Sequence, residues 1–86
     1  MNALETILNN NNFDEISSSL IKGRKWKKDD FTFGHNDIYS YESYILSFKS
    51  KKFGFVHENF IVWEKYERCI EQLQEAIDWM EKCKNL

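Results

Sequence analysis

Apolar residues recur along this chain with two different periods, and the change between them separates helical ends from a middle of strands. Near the start, Ala3, Leu4, Ile7 and Leu8 fall at helical spacing over 2–9. That piece is barely two turns and runs into the Asn9–Asn12 tract, so it forms a helix only if packed. The next stretch has Asn12 as a cap, Glu15 three residues on, Phe13, Ile16 and Leu20 on one face, and Gly23 as a stop. This predicts a second short helix over 13–22.

From Arg24 to Trp63 the period shifts toward two. Phe31/Phe33, Ile38 with Tyr39/Tyr41, Tyr44/Leu46/Phe48 and Phe53/Phe55/His57 are the alternating sets of strands. Lys49-Ser50-Lys51-Lys52 separates two of these runs and reads as a hairpin connection, and Gly34-His35-Asn36-Asp37 has the residue types of another turn. Phe60 to Trp63 reads as a last strand rather than as the first turn of the helix that follows.

Residues 64–84 carry Tyr66, Cys69, Ile70, Leu73, Ala76, Ile77 and Met80 at steps of three and four, which predicts a long amphipathic helix. Its opposite side holds Glu64, Glu67, Glu71, Glu75, Asp78 and Glu81, relieved by pairs such as Glu64 with Arg68 and Asp78 with Lys82. The expected fold is α+β, a single domain over 1–86. It has two short N-terminal helices, an antiparallel sheet of three to four strands, and a long C-terminal amphipathic helix packed on the sheet.

Composition sharpens this picture in three ways. With 86 residues there is room for one core, and 16% aromatic content predicts that large flat rings fill it. The net charge of −2 argues against a strongly basic, histone-like binder. Met1–Val56 holds eight Lys/Arg against seven Asp/Glu, and His57–Leu86 four against seven, so the acidic excess belongs to the C-terminal third. Cys69 and Cys83 lie about 21 Å apart along one helix, too far for a disulfide. Two unpaired thiols without an export signal or a long apolar run predict a cytoplasmic chain with no membrane partner.

Candidate chemistry concentrates in the segment Lys22-Gly23-Arg24-Lys25-Trp26-Lys27-Lys28, five cations around one indole. Such a segment combines phosphate attraction with base stacking, or else forms a solvated edge strand whose lysines discourage aggregation. Lys49, Lys51 and Lys52 extend the basic surface, and the strand aromatics, Tyr39 and Tyr41 among them, are more than one helix can cover. On the last helix Glu71, Glu75 and Asp78, with Trp79 at the margin of the stripe, form either a solvated ridge or a docking surface for a basic partner protein. His35 with Asp37 and the Ser17–Ser19 run lack the neighbours that metal binding or nucleophilic catalysis requires. The expectation is a non-enzymatic binding module without cofactor or metal.

The string Phe60-Ile61-Val62-Trp63-Glu64-Lys65, followed by Tyr66 and by Leu73-Gln74-Glu75-Ala76-Ile77-Asp78-Trp79-Met80, resembles the end of bacterial PUR-type repeats. In that family and in the related Whirly-like binders, several antiparallel strands precede one helix. The resemblance implies a curved sheet that binds single-stranded DNA or RNA. In style the chain also resembles the small proteins that phages encode against host defences, anti-CRISPR proteins included, being short, rich in Asn, Lys and aromatics, and free of proline. That likeness implies stoichiometric blockade of a nucleic-acid-handling host protein complex in the host cytoplasm. Both readings stand at this point, with a homodimer compatible with either.

Overall fold

The computed structural model describes residues 2–19, 23–38 and 41–84. In chain order it contains α1 (Ala3–Asn10), β1 (Asp14–Ser19), β2 (Gly23–Lys28), β3 (Phe31–Ile38), β4 (Tyr41–Lys52), β5 (Phe55–Trp63) and α2 (Tyr66–Lys84). The strands form one antiparallel sheet in the order β1-β2-β3-β4-β5, and the residues of both helices join one face of it in a single core. The fold is α+β with a C-terminal helix on an antiparallel sheet, as expected. It has five strands instead of three to four, and one N-terminal helix instead of two.

The missing second helix traces to Asn12. This residue has a positive φ of 66°, the Asn12 amide donates to the Asn9 carbonyl, and the Phe13 amide reaches back to Leu8 at 2.9 Å. These are the two bonds of a Schellman motif, with Phe13 and Leu8 as its buried apolar contact. Asn12 therefore ends α1 rather than starting a new helix. The serines that follow are poor helix formers, and the chain continues as β1. Gly23, expected as a helix stop, instead opens β2 with φ 79°, where an added Cβ would run into the Asn36 side chain and the His35 carbonyl.

Two turns also fall elsewhere than the residue types suggest. The β4–β5 connection is Phe53-Gly54, with φ of 54° and 81°, the pair of left-handed residues that a type I′ hairpin requires. Lys49–Lys52 are consequently the end of β4, paired with Phe55–Glu58. Gly34-His35-Asn36-Asp37 runs within β3, in register with Glu42–Ile45, and the link between β3 and β4 lies outside the described residues. Phe60–Trp63 is strand, continuous with 55–59.

The core is as aromatic as the composition requires. Phe13, Trp26, Phe31, Phe33, Tyr44, Phe48 and Trp63 are buried with Leu4 and Leu8 of α1 and with Cys69, Leu73, Ala76, Ile77 and Met80 of α2. Tyr66 and Ile70 pack partly buried at the near end of that stripe. Trp26 meets Phe33 edge-on at 5.7 Å, and Phe31 meets Phe13 and Phe48 at 6.3 and 5.5 Å. Where polar groups enter they are paired. Trp63 Nε1 donates to Gln72 Oε1 at 2.9 Å, and the Asn11 and Gln74 amides bond reciprocally, tying α1 to α2.

Ion pairs close the rim. Arg24 binds Glu15 at 2.6 Å and Glu5 at 2.9 Å while its guanidinium lies 4.6 Å over the Trp26 ring. Lys28 binds Glu81 at 2.8 Å. On α2, Arg68 pairs with Glu71 rather than with Glu64, and Asp78 accepts from Gln74.

Leu73→Ala is expected to cost about 2–5 kcal/mol in urea denaturation, because it leaves a cavity under the sheet. A loss below ~1 kcal/mol would contradict this packing. Burial pushes the Cys69 thiol up to about 12, so in the folded protein a thiol reagent should modify half-buried Cys83 and reach Cys69 only after unfolding. The hydrogen bond from Arg24 holds the Glu15 carboxyl below its ordinary range. A depressed carboxylate stabilises the fold above its unfolded pKa and loses that contribution as the pH falls through the folded value. Glu15→Gln should thus lower stability at neutral pH, by less than about 1 kcal/mol for so exposed a pair, with the difference vanishing in acid. Matched melting curves at the two pH values test it.

Candidate functional site

Strand alternation sorts every sheet residue onto one of two faces. Pairing of Trp26 with Phe33, Phe33 with Leu46 and Leu46 with Ile61 defines the face under the helices. Their neighbours point the other way, where neither α1 nor α2 packs. That open face carries Lys25 and Lys27 of β2, Thr32, Gly34 and Asn36 of β3, Ile45, Ser47, Lys49 and Lys51 of β4, and Glu58, Phe60 and Val62 of β5.

The basic segment is divided by this alternation. Arg24, Trp26 and Lys28 turn inward: Trp26 is 2% exposed and the two cations are held by Glu5, Glu15 and Glu81. Trp26 cannot stack on a base from that position, and neither Arg24 nor Lys28 is available to a phosphate without breaking its ion pair. Lys25, Lys27, Lys49 and Lys51 remain, all on the open face, and none makes an ion pair within 4 Å among the described residues. Asp14 stands beside Lys27 and Glu58 beside Lys49 in the register, so the face keeps a positive excess. Lys22 and Tyr39, and the side chains of Tyr41 and Lys52, lie outside the described residues.

Between the lysines of β2 and β4 lies a depression of ≈ 550 Å³. Its floor is Gly34, which sits in register between Lys25 and Ile45 and has nothing within 4 Å of where a Cβ would stand. Thr32 and Ser47 share a 2.6 Å hydroxyl bond next to it, and Ile16, the extra residue of a bulge in β1, flanks it at 58% exposure. Phe60, opposite Ser47, is 64% exposed, the one aromatic ring among the described side chains at open-face positions within the sheet's body. Sequence reasoning missed Gly34, Ile16 and Phe60. The signal was present in the phase of alternation, because residues two apart from Trp26 and Phe33 had to lie on the other face from Lys25 and Gly34.

The proposed protein-contact residues of α2 are dispersed. Glu71 pairs with Arg68 and Asp78 with Gln74, whereas Glu75 and Trp79 line a groove with Ile61, Trp63, Gln72 and Ala76 beside β5. Trp79 is 58% exposed, in keeping with its position off the apolar stripe. His35 stacks 4.4 Å from Tyr44 on the helix side of the sheet. Among the described residues no three His, Cys, Asp or Glu side chains gather as metal ligands, and no helix is long and apolar enough to cross a membrane.

No protein-family model, curated protein or solved structure matches the chain, so the open face and its geometry are the observations from which a function can be inferred.

Proposed function

We propose that the open sheet face binds single-stranded nucleic acid, RNA or DNA, without catalysis. The observation that carries this reading is the placement of Lys25, Lys27 and Lys49 around an uncovered depression floored by Gly34, with Lys51 further along the same face. Cations flanking a shallow trough match a backbone that runs across it, with phosphates at the rim. Phe60, Ile45 and Val62 offer the apolar surface on which an unpaired base rests, and the Thr32 hydroxyl and the Asn36 amide supply polar contacts. Phe60 takes the stacking role expected of Trp26. The absence of a side chain at Gly34 lets a sugar or base approach the backbone.

Fluorescence anisotropy with labelled single-stranded RNA and DNA tests the reading. Binding should weaken with salt along a log–log slope of about −2 to −3, the value for three to four phosphates on a single strand. Reversing charge in Lys25→Glu with Lys27→Glu should abolish most binding and flatten the slope. Gly34→Val is the more discriminating variant, because a β-branched residue there suits the strand and its Cβ has nothing within 4 Å, yet it fills the trough. It should keep or raise the melting temperature while weakening binding about tenfold or more. No binding at low salt, or unchanged binding by Gly34→Val, would remove this reading.

A further inference from the structure

The two edges of the sheet are built differently. β1 is six residues long, starts with Asp14 and Glu15, and is broken by the bulge at Ile16, all devices that discourage another strand from pairing there. β5 has none of them. It is nine residues long, lacks proline and lysine, pairs with β4 without a register shift, and has one carboxylate, Glu58. Its exposed residues include Phe55 at 70%, Val56, Phe60 and Val62, with Trp79 of α2 alongside.

The end of the β4–β5 hairpin also lacks cover. β3 begins at Phe31, opposite Phe48, so Ser50–Lys52 and Phe55–His57 pair only with each other and reach past the rest of the sheet. Phe55 and His57 have the phase of the helix-covered face, but no helix lies under them. At the other end of the same strand, that face carries the apolar groove of Ile61, Trp63, Ala76 and Trp79. One strand thus bears an uncovered aromatic at one end and an apolar groove at the other, the arrangement that a two-fold axis joins.

We infer that the chain forms a homodimer by antiparallel pairing of β5 with β5 of a second copy about a two-fold axis at Asn59. That register is the one that pairs the whole strand with itself. It sets Phe55 opposite Trp63 and against the Trp79 groove, His57 opposite Ile61, and Val56 opposite Val62. Glu58 faces Phe60, so like charges are not opposed. The exposed rings and valines along the strand leave on the order of 500 Å² per copy, and the symmetric pair about 1,000 Å² before the backbone is counted, the size at which specific interfaces begin. The resulting sheet has ten strands.

Sedimentation equilibrium and cross-linking test the inference on the full chain. The protein should run at about 21 kDa, twice its 10.4 kDa mass, at roughly 100 µM. Phe55→Glu should raise the dimer dissociation constant at least about tenfold with unchanged circular dichroism, and leave the open face intact. In a Cys83→Ser background, Asn59→Cys should form an intermolecular disulfide on mild oxidation, since residues at the axis sit about 4.5–5.5 Å apart. Glu58→Cys, whose symmetry mate lies two residues along, should not. A monomer at that concentration would leave the edge to a strand of another protein, and a dimer that links through position 58 or persists in Phe55→Glu would use other contacts; each overturns the proposal.

Discussion

A sheet has two faces, and this chain has helix enough for one. The buried stripe of α2, with two leucines from α1, closes over Trp26, Phe33, Leu46 and Trp63, and nothing in the described residues lies on the opposite side. Everything else follows from that one-sided burial. Once Trp26 and Phe33 are fixed inward by edge-on ring contact, alternation forces Lys25, Lys27, Thr32 and Gly34 outward. A slip of one residue would bury lysines and expose indole, so the core's demand for rings also positions the charged surface.

The same constraint divides labour among the cations. Arg24 and Lys28 share the inward phase of Trp26 and serve the rim of the core through Glu5, Glu15 and Glu81. Lys25 and Lys27, one residue away in each case, have no such partners among the described residues. A run that looks uniform in the sequence therefore holds two populations, one structural and one presented to solvent. The acidic excess of the C-terminal third answers this in part, since Glu81 is the counter-ion of Lys28.

Much of the fold was legible where period and burial agree. The stripe from Tyr66 to Met80, the pairs Phe31/Phe33 and Tyr44/Leu46/Phe48, and the helix at 3–10 all occupy the faces that their spacing assigns. Capping chemistry was ambiguous, because an asparagine favours both the start of a helix and the left-handed residue after one; at Asn12 the latter won, through the Leu8–Phe13 contact. Turn residues misled for a related reason. Phe53 in a left-handed conformation is unexpected for a bulky residue, and Gly54 beside it was the better guide than four polar residues before it. For the site, Lys25, Lys27, Lys49 and Lys51 could be named from charge alone. The face of Gly34 and Phe60 could be had from the phase of alternation, but their place beside the lysines needed cross-strand register, which no local pattern supplies.

The claim most exposed to test is the phase of β2 and β3, since a single shift would undo core and site together. Paramagnetic relaxation of side-chain NMR signals by a soluble gadolinium chelate reads it directly. Strong enhancement at Lys25, Lys27 and Thr32, alternating with protection at Trp26, Phe31 and Phe33, is the pattern this architecture requires. Uniform enhancement along either strand, or protection of the lysines with exposure of the rings, would contradict it.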